Sequence, residues 1–399
     1  MSLRILILTP WVPYPVTGAC QQDRFNGFKQ MQKLGHSIQV IAKIHAWQPR
    51  AEAERVFVQE EIPLTLVPYS ENLSALFWKR LPRIITNPAL LDGAALEYTD
   101  PEYESVVKDA VERFKPDVIW IEYTSLWPLL RLLKPYGIPM IMKSSLNEPA
   151  NCRDENGWSF MSILKSIPKY PGERIAARES NFIFGITPVE EQWYRHCGAK
   201  QAGTLPLRGL SRCFAKKTHQ QKDVLDVVFL SSNYNMGHNR DALKYLLQEI
   251  IPRVRERAPG VFRFHLTGNK FPEIYKDFLS DDVQMTGFVP DIGEFLATMD
   301  IALCPWISGQ GMQQKVFEPL CRSIPLITTK TAGYPFEPEK EVMLADTPDE
   351  YVDHLLILTD AHRRQKQADS AYIKAQALFS EEAVMKTVQQ ALELATMRP

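Results

Sequence analysis

PWISGQGMQQKVFEPLCRSIPLITT, the stretch from Pro305 to Thr329, decides how the whole chain reads. It follows the apolar run Ile301 to Cys304 and opens on a proline and a Gly309-Gln310-Gly311 turn. A helix-like segment then carries Lys315 and Glu318, and a second apolar run spans Leu326 to Thr328. That order predicts strand, glycine turn, helix, strand. A glycine turn feeding a helix start offers bare backbone N–H groups to an anion. Lys315 and Glu318 are three apart and share a helix face one turn beyond that turn. A cation for phosphates and a carboxylate for hydroxyls beside an anion cradle point to a nucleotide-sugar diphosphate. Without a ligand, the same pair reads as a surface contact between Glu318 and Lys315, with Gly309 and Gly311 serving only the turn.

Working back from that stretch, the α/β pattern restarts at Val227 to Leu230, followed by a polar loop from Ser231 to His238. Asn239 is expected to cap a helix reaching about Arg257, with Leu243, Leu246, Leu247, Ile250 and Val254 on its apolar stripe. Asp291 to Met299 reads as a further helix, and Thr347-Pro348-Asp349-Glu350 as a capping box with proline at the first helical position. Two helices end the chain, the last starting at Ser380. The polar, aperiodic run from Pro206 to Asp226 is the predicted interdomain linker.

The first half repeats the theme. Ile5 to Leu8 is a compact apolar run expected of a parallel strand buried on both faces. A loop with two prolines and Gly18 follows; then Phe25, Phe28, Met31 and Leu34 mark a helical stripe that Gly35 closes. Ile38 to Ala42 completes a βαβ unit, whose ligands gather at the carboxyl ends of strands. Gly18 sits where backbone could approach a bound group, or it is a plain turn. Asp117 to Ile121 ends at Glu122, and Ile138 to Met142 leads to a polar loop holding Asn147 and Glu148. Leu73 to Leu91 mixes aromatics, apolar residues and three cations. It reads either as a basic amphipathic piece for an anionic bilayer surface or as a core-facing helix broken at Pro82.

Composition bounds the rest. The 399 residues favour two domains, and 46 basic against 47 acidic residues argue against a broad nucleic-acid footprint. Six scattered cysteines lack C-x-x-C or zinc spacing and read as thiols of a reducing compartment. The N-terminal apolar run is too short for a signal peptide, and no run approaches a membrane span. A cytoplasmic protein is expected, with peripheral contact at the inner face of the membrane as the further reading.

Two consecutive α/β halves around a linker resemble a GT-B glycosyltransferase, and the motifs look like retaining glycosyltransferase family 4, within glycosyltransferase group 1. Three pieces carry the resemblance. Phe229-Leu230-Ser231-Ser232 with His238-Asn239-Arg240-Asp241-Ala242-Leu243 looks like the family's strand, loop and Asn-led helix. Val283-Gln284-Met285-Thr286-Gly287-Phe288-Val289-Pro290-Asp291 resembles its V-x-x-x-G-x-V-x-D turn. Gly311 to Glu318 with Ile324-Pro325-Leu326-Ile327 resembles its G-x-x-x-K-x-x-E…G-x-P-V-V core. The resemblance implies two Rossmann-like α/β/α domains facing across a cleft: residues 1–210 for the acceptor and 223–379 for the donor, with a helix at about 380–399 packed back on the first. It implies transfer of a sugar from a nucleotide-diphosphate donor to a hydroxyl of a glycan, glycolipid or small molecule, with no metal and no cofactor.

By that resemblance Glu318 holds the donor ribose and Lys315 neutralises the departing diphosphate, beside Gly18, Ser231, Asn233, Gly309, Gly311 and Met312. Gln310 stands where the family often has a second glutamate, and glutamine hydrogen-bonds sugar hydroxyls without charge. The family's Arg and Lys near the Ser231 loop have no convincing counterpart; only Arg240 and Lys244 lie near. Glu122 replaces a frequent histidine and is expected to orient or deprotonate an acceptor hydroxyl. Asn147 and Glu148 are the expected acceptor contacts, His238 reads as a solvated imidazole, and Trp306 either stacks on a base or joins the core. Two rivals remain: an inert sugar-nucleotide-binding subunit, motivated by Gln310, and a nucleotide-sugar epimerase, for which the sequence shows no clear set of facing carboxylates and histidines.

Overall fold

A computed structural model of the chain describes residues 2–69, 81–155, 159–305 and 311–397. Two compact units result: Met1–Gly209, Gln310–Met312 and Glu381–Pro399 form the first, Leu210–Gly309 and Gln313–Ser380 the second.

In the first unit the described residues build seven parallel strands: β1 (Arg4–Thr9), β2 (Ser37–Ile44), β3 (Leu64–Pro68), β4 (Val118–Glu122), β5 (Met140–Lys143), β6 (Phe182–Gly185) and β7 (Ala202–Thr204), in the order β3-β2-β1-β4-β5-β6-β7. The run Ile5–Leu8 is solvent-free because alternate side chains enter opposite layers. Leu6 and Leu8 join one core with Ile119, Ile121, Tyr103 and Trp127; Ile5 and Ile7 join another with Val40, Phe28 and Trp120. The C-terminal helix Glu381–Thr396 packs into this second layer through Val384, Val388, Ala391, Leu392 and Ala395. Burying each Val or Leu there contributes roughly 1.5–3 kcal/mol relative to exposure.

The second unit carries six parallel strands among the described residues: β8 (Leu225–Phe229), β9 (Phe262–Thr267), β10 (Val283–Gly287), β11 (Ile301–Cys304), β12 (Leu326–Thr328) and β13 (Met343–Leu344), in the order β10-β9-β8-β11-β12-β13. Both sheets reverse direction of growth once, between β1 and β4 and between β8 and β11. Such switch points leave a crevice at the carboxyl ends of the strands, where α/β proteins bind ligands.

The helix expected from Asn239 to Arg257 differs in two ways. It starts at Gly237, after Met236, and Asn239 lies inside its first turn. Its middle, Leu246–Ile250, is a π turn before helix Ile251–Arg257. Pro252 explains the turn: it has no N–H to donate, and its ring crowds the carbonyl four residues back. The basic amphipathic reading of Leu73 to Leu91 lies partly outside the described residues. Within the described part, Ile84 and Leu90 face the core while Ile85 and Leu91 are exposed. No helix among the described residues is long and apolar enough to cross a membrane.

One buried carboxyl in the first unit sets a pH dependence. Glu173, on helix Lys169–Glu179, accepts from Thr124 Oγ1 at 2.8 Å and Tyr194 Oη at 2.9 Å. Burial, reinforced by the Glu148 charge, pushes its carboxyl up to about 8 from 4.5. The folded protein therefore holds a proton that the unfolded chain releases above about 4.5, and stability falls as pH rises through that window, by up to roughly 1.4 kcal/mol per pH unit. Glu173→Gln is expected to flatten the melting temperature between pH 5 and 8. An unchanged slope in thermal scans of the variant would show that other groups set it.

Candidate functional site

At the switch point of the second sheet, two helices start side by side in the fold's ligand-binding end. Helix Gly237–Tyr245 follows β8, and helix Gln314–Cys321 follows β11. Lys315, in the first turn of the latter, donates from Nζ to Asn239 Oδ1 at 2.5 Å, in the first turn of the former. Asn239 is 1% exposed and itself donates from Nδ2 to the Asn233 carbonyl at 2.8 Å. Burial pulls the Lys315 ammonium below the ordinary lysine value. His238 is kept neutral: burial first, then the neighbouring Lys315 charge, lower its imidazole to about 4. That corrects the expectation of a solvated imidazole. A half-desolvated cation between two helix N-termini is a concentrated positive field.

The loop after β8 is held by its neighbours. The Ser231 N–H donates to Thr267 Oγ1 at 3.0 Å, and its carbonyl accepts from the same hydroxyl at 3.2 Å. Asn233 bridges to Asn269 and turns on its own Oδ1, which accepts from the Asn235 N–H at 2.8 Å. Gly268, at φ +115°, allows the close approach of Ser231, because a Cβ there would lie 2.9 Å from the Ser231 carbonyl oxygen. Asn233 and Asn239 thus form a relay that positions Lys315. Asn239 escaped sequence reasoning as a site residue because its cap-like position explained it fully; its spacing from Asn233 was the available signal.

Glu318 is 5% exposed. Its Oε1 accepts from Arg322 Nη2 at 3.0 Å and Nε at 3.2 Å, and Oε2 accepts from Gln314 Nε2 at 3.1 Å. The Cys213 thiol also leans on this carboxylate; burial and Glu318 push that thiol up to about 12. The alternative partner of Glu318 is therefore Arg322, one turn on, rather than the Lys315 of the surface-pair reading. Gly311 takes φ +78°, the left-handed region that glycine reaches without cost, and Met312 is buried. Gly309, Gln310 and Trp306 lie outside the described residues.

The first-unit candidates sit at strand ends. Gly18 immediately precedes helix Ala19–Lys33, at φ −87°, so the backbone does not demand glycine there. Asn147 Oδ1 accepts from the Ala150 N–H at 3.1 Å, capping helix Glu148–Glu155, while its own N–H donates to Glu190 Oε1 at 3.2 Å. Glu148 is 7% exposed and accepts from the Tyr123 hydroxyl and from Lys169 Nζ at 3.1 Å. Glu122 requires a correction. Its carboxylate is fully buried, accepts from Trp120 Nε1 at 2.8 Å and pairs with Arg208 Nη2 at 2.8 Å. From there it serves as a counter-charge inside the unit and cannot reach an acceptor hydroxyl.

Comparison with known proteins agrees with the architecture. Residues 225–360 match the family described as glycosyl transferases group 1. No curated protein sequence matches the chain. Among solved structures, Anabaena Alr3699/HepE in complex with UDP-glucose aligns with a TM-score of 0.63 at 14% identity, over 98% of this chain and 99% of that one. Sucrose-phosphate synthase from Thermosynechococcus elongatus aligns with a TM-score of 0.68 at 12% identity, over 98% of each chain. A glycosyltransferase from Rickettsia africae aligns with a TM-score of 0.67 at 10% identity, over the full length of both. The chain thus has the two-sheet α/β architecture of these GT-B structures over its whole length, and residues 225–360 are similar to the glycosyl transferases group 1 family.

Proposed function

We propose that this enzyme is a retaining transferase that moves a sugar from a nucleotide-diphosphate donor to a hydroxyl of a glycan, glycolipid or small molecule, without a metal or cofactor. One observation carries the reading: the half-buried Lys315 ammonium, fixed by Asn239 between two helix N-termini at a switch point. As the sugar–oxygen bond breaks, negative charge collects on the leaving diphosphate, and preorganised cations and helix dipoles stabilise charge that develops in a transition state. Retention follows a same-face route in which a diphosphate oxygen takes the acceptor proton. The HepE complex with UDP-glucose supports a uridine nucleotide. Glu318 takes the ribose hydroxyls, Ser231, Asn233, Gly311 and Met312 flank the donor, and Gln310 contacts its sugar. Gly18, Asn147 and Glu148 belong to the first unit's side of the reaction. None of the six cysteines is in a disulfide, which supports a reducing, cytoplasmic setting.

Calorimetric titration with a panel of nucleotide sugars, followed by donor hydrolysis and transfer assays with and without chelator, tests this reading. Micromolar binding and chelator-resistant transfer with the donor's anomeric configuration in the product are expected. Tight binding without turnover would indicate the inert subunit, a changed free nucleotide sugar the epimerase, and absence of nucleotide binding would remove all three. Glu318→Gln is expected to fold normally, because Arg322 keeps its acceptor oxygen and a flip of the Gln314 amide turns its Oε1 to accept from the new Nε2. The variant should raise the donor dissociation constant at least about ten-fold, since charge-assisted hydrogen bonds to the ribose become neutral ones. Unaltered donor affinity in the folded variant would make Glu318 a structural partner of Arg322.

A further inference from the structure

One buried cation of the first unit has no hydrogen-bond acceptor among the described residues. Arg24, on helix Ala19–Lys33, is 1% exposed, and among the described residues none accepts from its Nε, Nη1 or Nη2. Its neighbours behave differently: Lys43 pairs with Asp100, Lys143 and Arg208 with Asp23, and Lys169 with Glu148 and Asp92. The guanidinium carbon of Arg24 lies 4.2 Å from the centre of the Trp11 ring and 5.8 Å from that of Tyr123. Those ring faces favour a cation, but they leave five N–H donors unmatched, and each buried donor without an acceptor is costly. The carboxylate on the Tyr123 hydroxyl, Glu148, is already paired with Lys169.

The setting is a ligand site in kind. Trp11 follows β1 and Tyr123 follows β4, so the pair stands at the switch point of the first sheet. Tyr98 completes an aromatic wall, its ring centre 5.8 Å from that of Trp11 and 6.4 Å from that of Tyr123. All three rings are half-buried, and Tyr123 adopts φ +103°, ψ +127°, a conformation that non-glycine residues hold only when their surroundings enforce it. Resting on the reading of the enzyme as a sugar transferase, we infer that Arg24 with Trp11, Tyr98 and Tyr123 forms an acceptor subsite for a saccharide bearing an oxyanion. The planar fork of Arg24 takes two oxygens of a carboxylate or phosphate, and the rings cover the apolar face of the sugar. Entry requires a ring to swing off the guanidinium, which places Trp11 as the reporter.

Tryptophan fluorescence and calorimetry on the full chain, with methyl β-glucuronide, glucose 6-phosphate and methyl β-glucoside as probes, test the inference; a nucleotide diphosphate is titrated in parallel. At least ten-fold tighter binding of one anionic sugar over the neutral one is expected, and the two anionic probes separate carboxylate from phosphate. Arg24→Met should abolish that preference while raising the apo melting temperature, because it removes a buried unmatched cation. Arg24→Lys, which keeps charge but loses the fork, should weaken the preference and guards against a misfolded methionine variant. Equal binding of charged and neutral sugars by a protein that binds the nucleotide would overturn the subsite and leave the transferase reading standing. A lower melting temperature in Arg24→Met with the preference intact would make Arg24 a pillar under Trp11. Failure to bind the nucleotide would instead strike the transferase reading.

Discussion

Lys315→Met is expected to lower kcat by about 10²–10³-fold, the loss typical of removing one preorganised charge stabiliser from an active site. Methionine keeps most of the lysine stem, so packing in helix Gln314–Cys321 is retained. Asn239 keeps its bond to the Asn233 carbonyl, and the unmet Oδ1 costs on the order of 1 kcal/mol. Against that cost, the wild type buries an ammonium whose desolvation already pulls it below its ordinary 10.5. The melting temperature of the unliganded variant should therefore stay within a few degrees of wild type while turnover collapses. A pH profile adds an independent check. In the free enzyme the ammonium loses its proton at lower pH than an ordinary lysine, so wild-type kcat/KM falls on the alkaline side before the usual lysine range. In Lys315→Met that limb should vanish with the rate. A variant that turns over within two-fold of wild type would remove Lys315 from the chemistry and leave it as a tether between two helices.

Much of the scaffold was legible because it is written locally. Ile5–Leu8 and Ile301–Cys304 are continuous apolar runs, and continuous runs between turn signals read as strands covered on both faces. The Gly311 turn was legible for a similar reason, since a left-handed residue before a helix selects glycine. The donor-side pieces were readable as an ordered set from Phe229 to Ile327, although Asn239 was seen as a cap and not as the holder of Lys315. What stayed hidden depends on partners far away in the chain. The helix after β1 was read from Phe25, Phe28, Met31 and Leu34 as a stripe facing the core, which leaves Asp23, Arg24 and Gln30 for solvent. All three are buried: Asp23 meets Lys143 and Arg208, and Arg24 lies against the Trp11 and Tyr123 rings. Nothing within ten residues of Asp23 announces Arg208, 185 positions on. Lys143, closing the apolar strand β5, was the one local anomaly that could have flagged a buried ion pair, since charges are rarely buried unpaired.

That hidden network carries the largest expected loss of stability. Arg208, with no solvent exposure, donates from Nη2 to Asp23 Oδ2 and to Glu122 Oε1, each at 2.8 Å, and from its backbone N–H to Asp23 Oδ1 at 2.7 Å. Lys143 Nζ donates to Asp23 Oδ2 at 2.9 Å, so two cations balance two carboxylates inside the first unit. Gly27 makes the room: a Cβ there would fall on the Arg208 guanidinium. Arg208→Met leaves two buried carboxylates with one ammonium, and breaking such a network costs about 3–5 kcal/mol, a large share of an ordinary domain's 5–15 kcal/mol. The pH dependence distinguishes charge from packing. In the wild type, burial pushes the Asp23 carboxyl up, but Arg208 and then Lys143 hold it well below its ordinary 3.8. The stability this contributes is present above 3.8 and is lost as pH falls below it. Without Arg208 only Lys143 answers the desolvation of Asp23, its carboxyl rises, and the folded variant takes up a proton that the unfolded chain lacks. The variant should gain stability on going from pH 7.5 to 5, so its deficit in urea unfolding shrinks there. Adding Asp23→Asn to Arg208→Met should recover part of the loss at pH 7.5 by removing one stranded charge. A deficit equal at both pH values, with no recovery in the double variant, would assign the loss to the missing guanidinium's packing.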